Sequence, residues 1–327
     1  MKYSAYYVEE IDGVFSASIS ELELKKPSDG FVQIQVSCSS LNYKDALSAS
    51  GNKGVTRNYP FVPGIDAAGT ISDANSSNFV EGDEVLVTGY DMGMNTPGGF
   101  GEFINVPANW VVKKPSALTS IEVMSIGTAG LTAAASVLKI QESSQESDLP
   151  VLVSGATGGV GSIGVMLMSK LDKEVTALTG KSSSVDFLKS IGAKNVILRD
   201  DFLEGPVKPM ERALFSSAID TVGGNVLSKM LTQISPHGVV ACCGNVAGIE
   251  VNTTVFPFIL RGITLAGIDS AESSLEFKTN VWRKFANEWK LDLSPIIKVV
   301  SKENLQHEID LILQGGQQGR VVLKHGE

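Results

Sequence analysis

The chain runs to 327 residues, 43% hydrophobic and 19% charged, a composition that excludes a disordered chain and accommodates two ordinary domains. Its net charge of -9 argues against nucleic acid or an anionic membrane as the main partner, though not against a local basic pocket. Three cysteines, Cys38, Cys242 and Cys243, make no disulfide framework and suit a reducing compartment.

No apolar run reaches the roughly 18 residues of a membrane span, and Met1-Lys2-Tyr3-Ser4 lacks the apolar core of a signal peptide. The expectation is a cytoplasmic protein with neither membrane nor nucleic acid as partner. In chain order, the first 120 residues read as an irregular β domain. Val32-Gln33-Ile34-Gln35-Val36 alternates with period two, and Glu84-Val85-Leu86-Val87 follows a Gly82-Asp83 turn. Turn signals recur at Lys26–Gly30, Asp73–Asn78 and Pro97–Gly99.

Ser120 to Leu138 is apolar with small residues and predicts one or two buried helices, followed by a polar connector from Gln141 to Leu149. Strands are then predicted at Val151–Ser154, Glu174–Leu178, Asn195–Leu198, Ser217–Asp220, Gly238–Cys243 and Ile263–Gly267. Helices fall between them, among others at Val160–Leu171, Val185–Ile191 and Val226–Ile234. Apolar strands alternating with helices predict an α/β fold with a parallel sheet covered on both faces. The tail, Trp282 to Lys324, returns to a helix and strand pattern.

Between the first such strand and its helix lies Gly155-Ala156-Thr157-Gly158-Gly159-Val160-Gly161. Ala156-x-Gly158-x-x-Gly161 fills the dinucleotide-binding frame, with Ala at the first glycine. Gly158 lets the backbone approach a pyrophosphate, and Gly161 lets the helix pack close on the strand. The free N–H groups of the first helical turn and the positive end of the helix dipole suit phosphates.

An NAD enzyme carries Asp or Glu for the ribose about twenty residues further on. Here the second strand ends Leu178-Thr179-Gly180-Lys181, without a carboxylate. A small hydroxyl, a glycine and a cation offer room, a donor and charge to a 2′-phosphate, and Arg199 closes the next strand. The expected cofactor is therefore NADPH. No metal is expected, because Cys38 stands alone, His237, His307 and His325 are scattered, and C-x-x-C is absent.

With these motifs the chain resembles the medium-chain dehydrogenase/reductases of the zinc-free quinone oxidoreductase branch. The likeness is carried by Leu41-Asn42-Tyr43-Lys44-Asp45-Ala46-Leu47, Pro63-Gly64-Ile65-Asp66-Ala67-Ala68-Gly69 and Gly127-Thr128-Ala129-Gly130-Leu131. Zinc-dependent relatives carry Gly-His-Glu where this chain has Gly64-Ile65-Asp66. Ala218 to Gly223, Thr253 to Arg261, Gly267 to Ser270 and Gln318-Gly319-Arg320 bring the resemblance closest to the acrylyl-CoA reductase group. It implies a GroES-like irregular β-barrel domain at residues 1–121 and 268–327, and a doubly wound Rossmann domain at 122–267. It also implies cofactor contacts at Tyr43, Thr157, Gly158, Gly159, Val160, Thr179, Gly180, Lys181, Arg199, Asn245, Ile259 and Ser270. Asn245 stands where an apolar residue is expected, and Thr179 where a serine is expected.

The implied reaction is NADPH-dependent reduction of the C=C bond of a short α,β-unsaturated acyl-CoA, acrylyl-CoA to propanoyl-CoA. Hydride adds at the β-carbon, the developing enolate oxygen needs a donor, and the α-carbon needs a proton. Tyr43 is the expected donor or acid, Asn42 the expected orienter of the carbonyl, and Asp45 the residue that holds the loop. Lys44 faces cofactor or solvent, and Arg57 is a candidate for the CoA phosphates. Two other readings stand beside this one: a quinone or enone reductase, and an NADPH-binding protein without turnover. The family likeness further implies a homodimer through the edge strand near Ile263–Gly267.

Overall fold

The computed structural model describes residues 1–75, 77–143, 147–206 and 208–326. The chain divides into two compact units, Met1–Thr128 with Ala271–Glu327, and Ala129–Ser270.

Within the first unit, the alternating Val32–Val36 segment lies inside a longer strand, Phe31–Leu41. Val32, Ile34 and Val36 are buried while Gln35 and Ser37 are exposed, which is the inside-outside pattern of a half-buried strand. Among the described residues this strand sits centrally in a seven-stranded sheet. The order runs Ile297–Val300, Arg320–Lys324, Phe31–Leu41, Asp66–Asp73, Glu84–Thr88, Val112–Lys113, with Phe103–Pro107 also pairing Phe31–Leu41. The predicted strand at Glu84 therefore stands, and the C-terminal tail supplies two strands of the same sheet. Val32, Ile34, Val36, Ile71, Val85, Val87 and Ile104 form its core. A hairpin of Lys2–Ile11 and Val14–Glu23 pairs separately. Of the expected turn at Asp73–Asn78, Ser76 lies outside the described residues.

The apolar segment from Ser120 is two helices: helical structure runs Ser120–Ser143, interrupted at Gly127, where φ is 50° and ψ -158°. Two expectations are corrected here. Taken together, Ser120–Glu142 is long and apolar enough by composition to pass for a membrane span, but it is broken at Gly127 and 72% of its apolar window is buried in the protein, as in core helices. The polar connector was expected from Gln141, but the helix continues through Ser143; residues 144–146 of that connector lie outside the described residues.

In the second unit the six parallel strands are observed within a residue or so of their expected bounds, in the order Asn195–Leu198, Val175–Thr179, Val151–Ser154, Ala218–Asp220, Val239–Cys242, Thr264–Gly267. Numbered along the chain, this is 3-2-1-4-5-6, the doubly wound Rossmann arrangement. Every residue of Val151–Ser154 and of Val175–Thr179 is buried, which is why these strands read as unbroken apolar runs. Strand order reverses beside Val151–Ser154, so the turn that follows it opens at the switch point where such sheets bind ligands.

Candidate functional site: a dinucleotide turn and a buried carboxylate cluster

The glycine turn leads from Ser154 into helix Gly159–Lys170. Gly158 is the N-cap of that helix, and no side chain caps it. The turn needs its glycines for different reasons. Gly155 has φ +56°, and a Cβ there would lie 2.2 Å from Thr221 Oγ1. A Cβ on Gly161 would lie 2.3 Å from the carbonyl oxygen of Gly155. On Gly158 it would meet only Gly155 O, tightly at 3.3 Å, and otherwise this face has no protein atom against it. Uncapped N–H groups beside an open backbone face fit the pyrophosphate of a dinucleotide.

A brace below the turn escaped the sequence reading. Ser154 Oγ donates to Asp220 Oδ1 at 2.6 Å, and accepts from the N–H of Thr221 at 3.0 Å. Thr221 Oγ1 donates to Ser154 O at 2.9 Å, and the N–H of Gly223 donates to Asp220 Oδ2 at 2.9 Å. Burial pushes the Asp220 carboxyl up, against the hydrogen bonds it accepts. This polar knot ties two strand ends together and fixes Thr221 against Gly155.

Thr179 and Leu198 are partners in register, so Thr179-Gly180-Lys181 and Arg199 leave neighbouring strand ends together. The Arg199 guanidinium lies over Gly180, whose Cβ would sit 3.1 Å from Cζ and from Nη2. Thr179 Oγ1 accepts from the N–H of Lys181 at 3.1 Å, and burial lowers the Lys181 ammonium from its ordinary value. Arg199 over Gly180 and Lys181 beside it in the chain put positive charge past a strand end, Thr179, that carries no acidic residue, which fits a 2′-phosphate, although Asp200 lies 3.9 Å from the Arg199 Nε.

Asn245 and Ser270 likewise follow carboxyl ends of strands, Val239–Cys242 and Thr264–Gly267. Asn245 is exposed; Ser270 is buried, its Oγ 2.6 Å from Thr132 Oγ1. Ile259 stands apart. It lies on the short helix Phe256–Arg261, 67% exposed. Arg261 O accepts from the N–H of His237, just before strand Val239–Cys242, so this helix ends at the amino edge of the sheet. Ile259 is therefore not brought to the glycine turn of its own chain.

In the first unit, Tyr43 opens the helix Tyr43–Ala49 and is 37% exposed. Behind it lies a cluster that the sequence reading missed. Asp45, Asp66 and Arg320 are each 2% exposed or less. Asp66 Oδ2 accepts from Asn42 Nδ2 at 2.8 Å and from the N–H of Thr128 at 2.9 Å, and Ser40 Oγ also donates to it. Asp45 accepts from the N–H of Asn42 at 2.8 Å, from Asn42 Nδ2 at 3.1 Å and from the N–H of Ile65 at 2.8 Å. Arg320 donates to Ser125 O at 2.9 Å and to Asn42 Oδ1 at 3.2 Å. Its Nη2 is buried with no hydrogen-bond partner among the described residues. Gly127 completes the cradle: a Cβ there would lie 2.6 Å from Asp66 Oδ2 and 3.0 Å from Arg320 Nη2. Burial and the neighbouring Asp66 push the Asp45 carboxyl up to about 7.

This network corrects the role expected of Asn42. Its amide donates to two buried carboxylates and its oxygen accepts from a buried guanidinium, so the side chain is committed to the protein and not offered to a carbonyl. The loop-holding role read for Asp45 agrees with its three accepted bonds. Lys44 is half-buried, and Arg57 is exposed. Among the described residues, no three of His, Cys, Asp and Glu gather as metal ligands.

A GroES-like sheet unit joined to a Rossmann unit is the architecture of the alcohol dehydrogenase class. Residues 28–116 match the alcohol dehydrogenase GroES-like domain, and residues 159–287 match the family described as zinc-binding dehydrogenase. "Putative quinone oxidoreductase YhfP" of Bacillus subtilis is 41% identical over 301 residues, 91% of each chain. Its structure, solved with NAD bound, superposes with a TM-score of 0.95 and covers 99% of each chain. "Probable acrylyl-CoA reductase AcuI" of Escherichia coli is 38% identical over 98% of this chain and 99% of its own. The yhdH oxidoreductase of Salmonella enterica, solved with NADP, is 38% identical at a TM-score of 0.94, over 99% of this chain and all of its own. The chain belongs to the medium-chain dehydrogenase/reductase superfamily, as an oxidoreductase beside the acrylyl-CoA reductases and YhfP.

Proposed function

We propose that this protein is an NADPH-dependent reductase of the C=C bond of a short α,β-unsaturated acyl-CoA, turning acrylyl-CoA into propanoyl-CoA. The observation that carries the cofactor is the Arg199 guanidinium over Gly180, with Lys181 next along the chain, past a strand end that carries no carboxylate for a ribose; Asp200, which follows Arg199, pairs with it at 3.9 Å. Thr157, Gly158, Gly159 and Val160 would hold the pyrophosphate, and Thr179, Gly180, Lys181 and Arg199 the 2′-phosphate. By resemblance Tyr43, Asn245 and Ser270 would serve the nicotinamide end; Ile259, on a helix that ends at the amino edge of the sheet, is left out of that set. The relatives solved with NADP and NAD support a nicotinamide dinucleotide here.

When bound, the cofactor supplies the hydride that adds to the β-carbon. The chain must then stabilise the enolate oxygen and deliver a proton to the α-carbon. Tyr43 presents a partly exposed phenol for that task. Asn42, Asp45, Asp66 and Arg320 form its foundation: they lock the turn from Leu41 into the helix that Tyr43 begins, so the phenol starts from a rigid base.

A second reading, reduction of a quinone, is favoured by the 41% identity to YhfP. NADPH absorbance followed in parallel with acrylyl-CoA, crotonyl-CoA and a benzoquinone separates the readings. Oxidation with the thioesters is the expected result. Oxidation with the quinone alone would replace the proposal, and oxidation with none would make the protein a cofactor-binding module.

A homodimer and a cytoplasmic setting belong to the same proposal. Thr264–Gly267 is an edge strand, and Val246, Ile249, Val255, Ile259 and Leu260 in the segment before it are each more than 60% exposed. An apolar surface beside an open edge is what a second copy would cover. The three free thiols suit a reducing compartment.

A further inference from the structure

Arg199, whose guanidinium lies over Gly180, opens a helix of five residues, Arg199–Leu203. A helix so short does not stand by itself, because nucleating a turn fixes more dihedrals than its few hydrogen bonds offset. This one is held from outside. Phe202 is buried in one core cluster with Val226, Leu227 and Met230 of helix Gly224–Thr232. Lys229, in the last turn of that second helix, is only 6% exposed. Its Nζ donates at 2.8 Å to the carbonyl oxygen of Glu204, the C-cap of the short helix. The same ammonium lies 5.9 Å from the centroid of the Phe202 ring.

A buried ammonium is costly unless closely held, and a helix lysine ordinarily carries its charge out to water. Here both contacts of the ammonium fall on the segment that Arg199 begins. Strand Asn195–Leu198 fixes where the chain arrives, through the pairing of Leu198 with Thr179. The helical turn that follows fixes the direction in which Arg199 leaves the backbone. Asp200, 3.9 Å from the Arg199 Nε, competes for the guanidinium, so its place over Gly180 depends on that direction. All of these residues belong to the second unit.

We infer that Lys229 is a positioning residue for cofactor selectivity: its buried ammonium caps the short helix and thereby aims Arg199 at the 2′-phosphate of NADPH. The inference rests on the reading of Arg199 as a 2′-phosphate contact. Lys229 acts through the helix, as a support behind a binding residue.

The test is the ratio of NADPH to NADH affinity, measured by quenching of protein fluorescence. A merely structural lysine would move both affinities together and leave the ratio alone. Lys229→Met keeps the length of the side chain and removes the charge; it should weaken NADPH by about fivefold and leave NADH nearly unchanged. In the double variant Lys229→Met with Arg199→Ala, the ratio should equal that of Arg199→Ala, since the support has nothing left to aim. Phe202→Leu, which removes the ring that docks the short helix, should lower the ratio by about threefold, and decides the matter if Lys229→Met does not fold. A wild-type ratio in Lys229→Met, or losses that add in the double variant, would overturn the inference; where only Phe202→Leu can be measured, a wild-type ratio there does so. Arg199→Ala separates the two layers. A lowered ratio in Arg199→Ala with a wild-type ratio in Lys229→Met rejects the support alone. A wild-type ratio in Arg199→Ala rejects the reading of Arg199, and the purpose of the support with it.

Discussion

The guanidinium of Arg199 rests on Gly180, 3.1 Å from where a Cβ would be. Arg199 leaves the third strand of the Rossmann sheet and Gly180 the second, so the contact exists only because the two strands are in register through Thr179 and Leu198. Arg199→Ala should weaken NADPH by about tenfold and leave NADH nearly unchanged; the figure is kept modest because the side chain is 48% exposed and solvent screens it. Gly180→Val should act the same way by displacing Arg199. Competitive titration of both cofactors at low and high salt checks this, and equal losses for NADPH and NADH would remove the 2′-phosphate from the argument.

Gly158 and Gly161 should fail differently. A Cβ on Gly161 would meet backbone atoms at 2.3 and 2.8 Å, and backbone cannot yield as a side chain can. Gly161→Ala should therefore cost about 1–3 kcal/mol of stability. Gly158 has φ -77° and a single tight neighbour for a Cβ, Gly155 O at 3.3 Å, so Gly158→Ala should melt closer to wild type than Gly161→Ala yet bind NADPH about tenfold more weakly, since the methyl occupies the face a pyrophosphate would approach. Thermal melts and cofactor titrations on both variants decide it. A stable Gly161→Ala, or a Gly158→Ala that binds normally, would contradict the packing described for this turn.

The buried Asp45 carboxyl should tilt the pH dependence of stability. Its ordinary value is 3.8, and in the fold it is pushed up to about 7. Between those values the folded chain keeps a proton that the unfolded chain has released, so stability falls as pH rises. The contribution is fully present below about pH 4 and is lost as pH passes through about 7. Asp45→Asn cannot titrate and should lack this part of the slope. Melting temperatures of both proteins across that window test it, and parallel curves would show that Asp45 carries its charge throughout.

The parts of this molecule that could be read in advance are those with local grammar. Strand, glycine turn and helix follow one another within Val151–Lys170, and each signal needs only its neighbours. That Lys181 and Arg199 stand just past strand ends was legible for the same reason. The carboxylate cluster was not, because Asn42 finds Asp66 24 residues away and Arg320 278 residues away. No period or spacing marks such a meeting. Asn42 was misjudged through its position: a loop residue beside Tyr43 reads as a free amide until its partners arrive from distant strands. Ile259 was assigned by resemblance alone, and the sheet places its helix at the other edge.

Tyr43 and Asn42, adjacent in the chain, should lose different things. Tyr43→Phe keeps the ring and removes only the hydroxyl of a partly exposed side chain, so its melting temperature should stay at the wild-type value. If the phenol supplies the donor or the proton, kcat/KM on acrylyl-CoA should drop by about 10²–10⁴. Asn42→Ala removes a donor from both Asp45 and Asp66 and an acceptor from Arg320, all of them buried. Leaving such groups short of partners costs about 1–3 kcal/mol each, so this variant should melt early and lose activity as a consequence of a loosened Tyr43. Measuring both quantities on both variants separates chemistry from support. Full kcat/KM in Tyr43→Phe would hand the proton to water, and an unchanged melting temperature in Asn42→Ala would take the foundation away from the cluster.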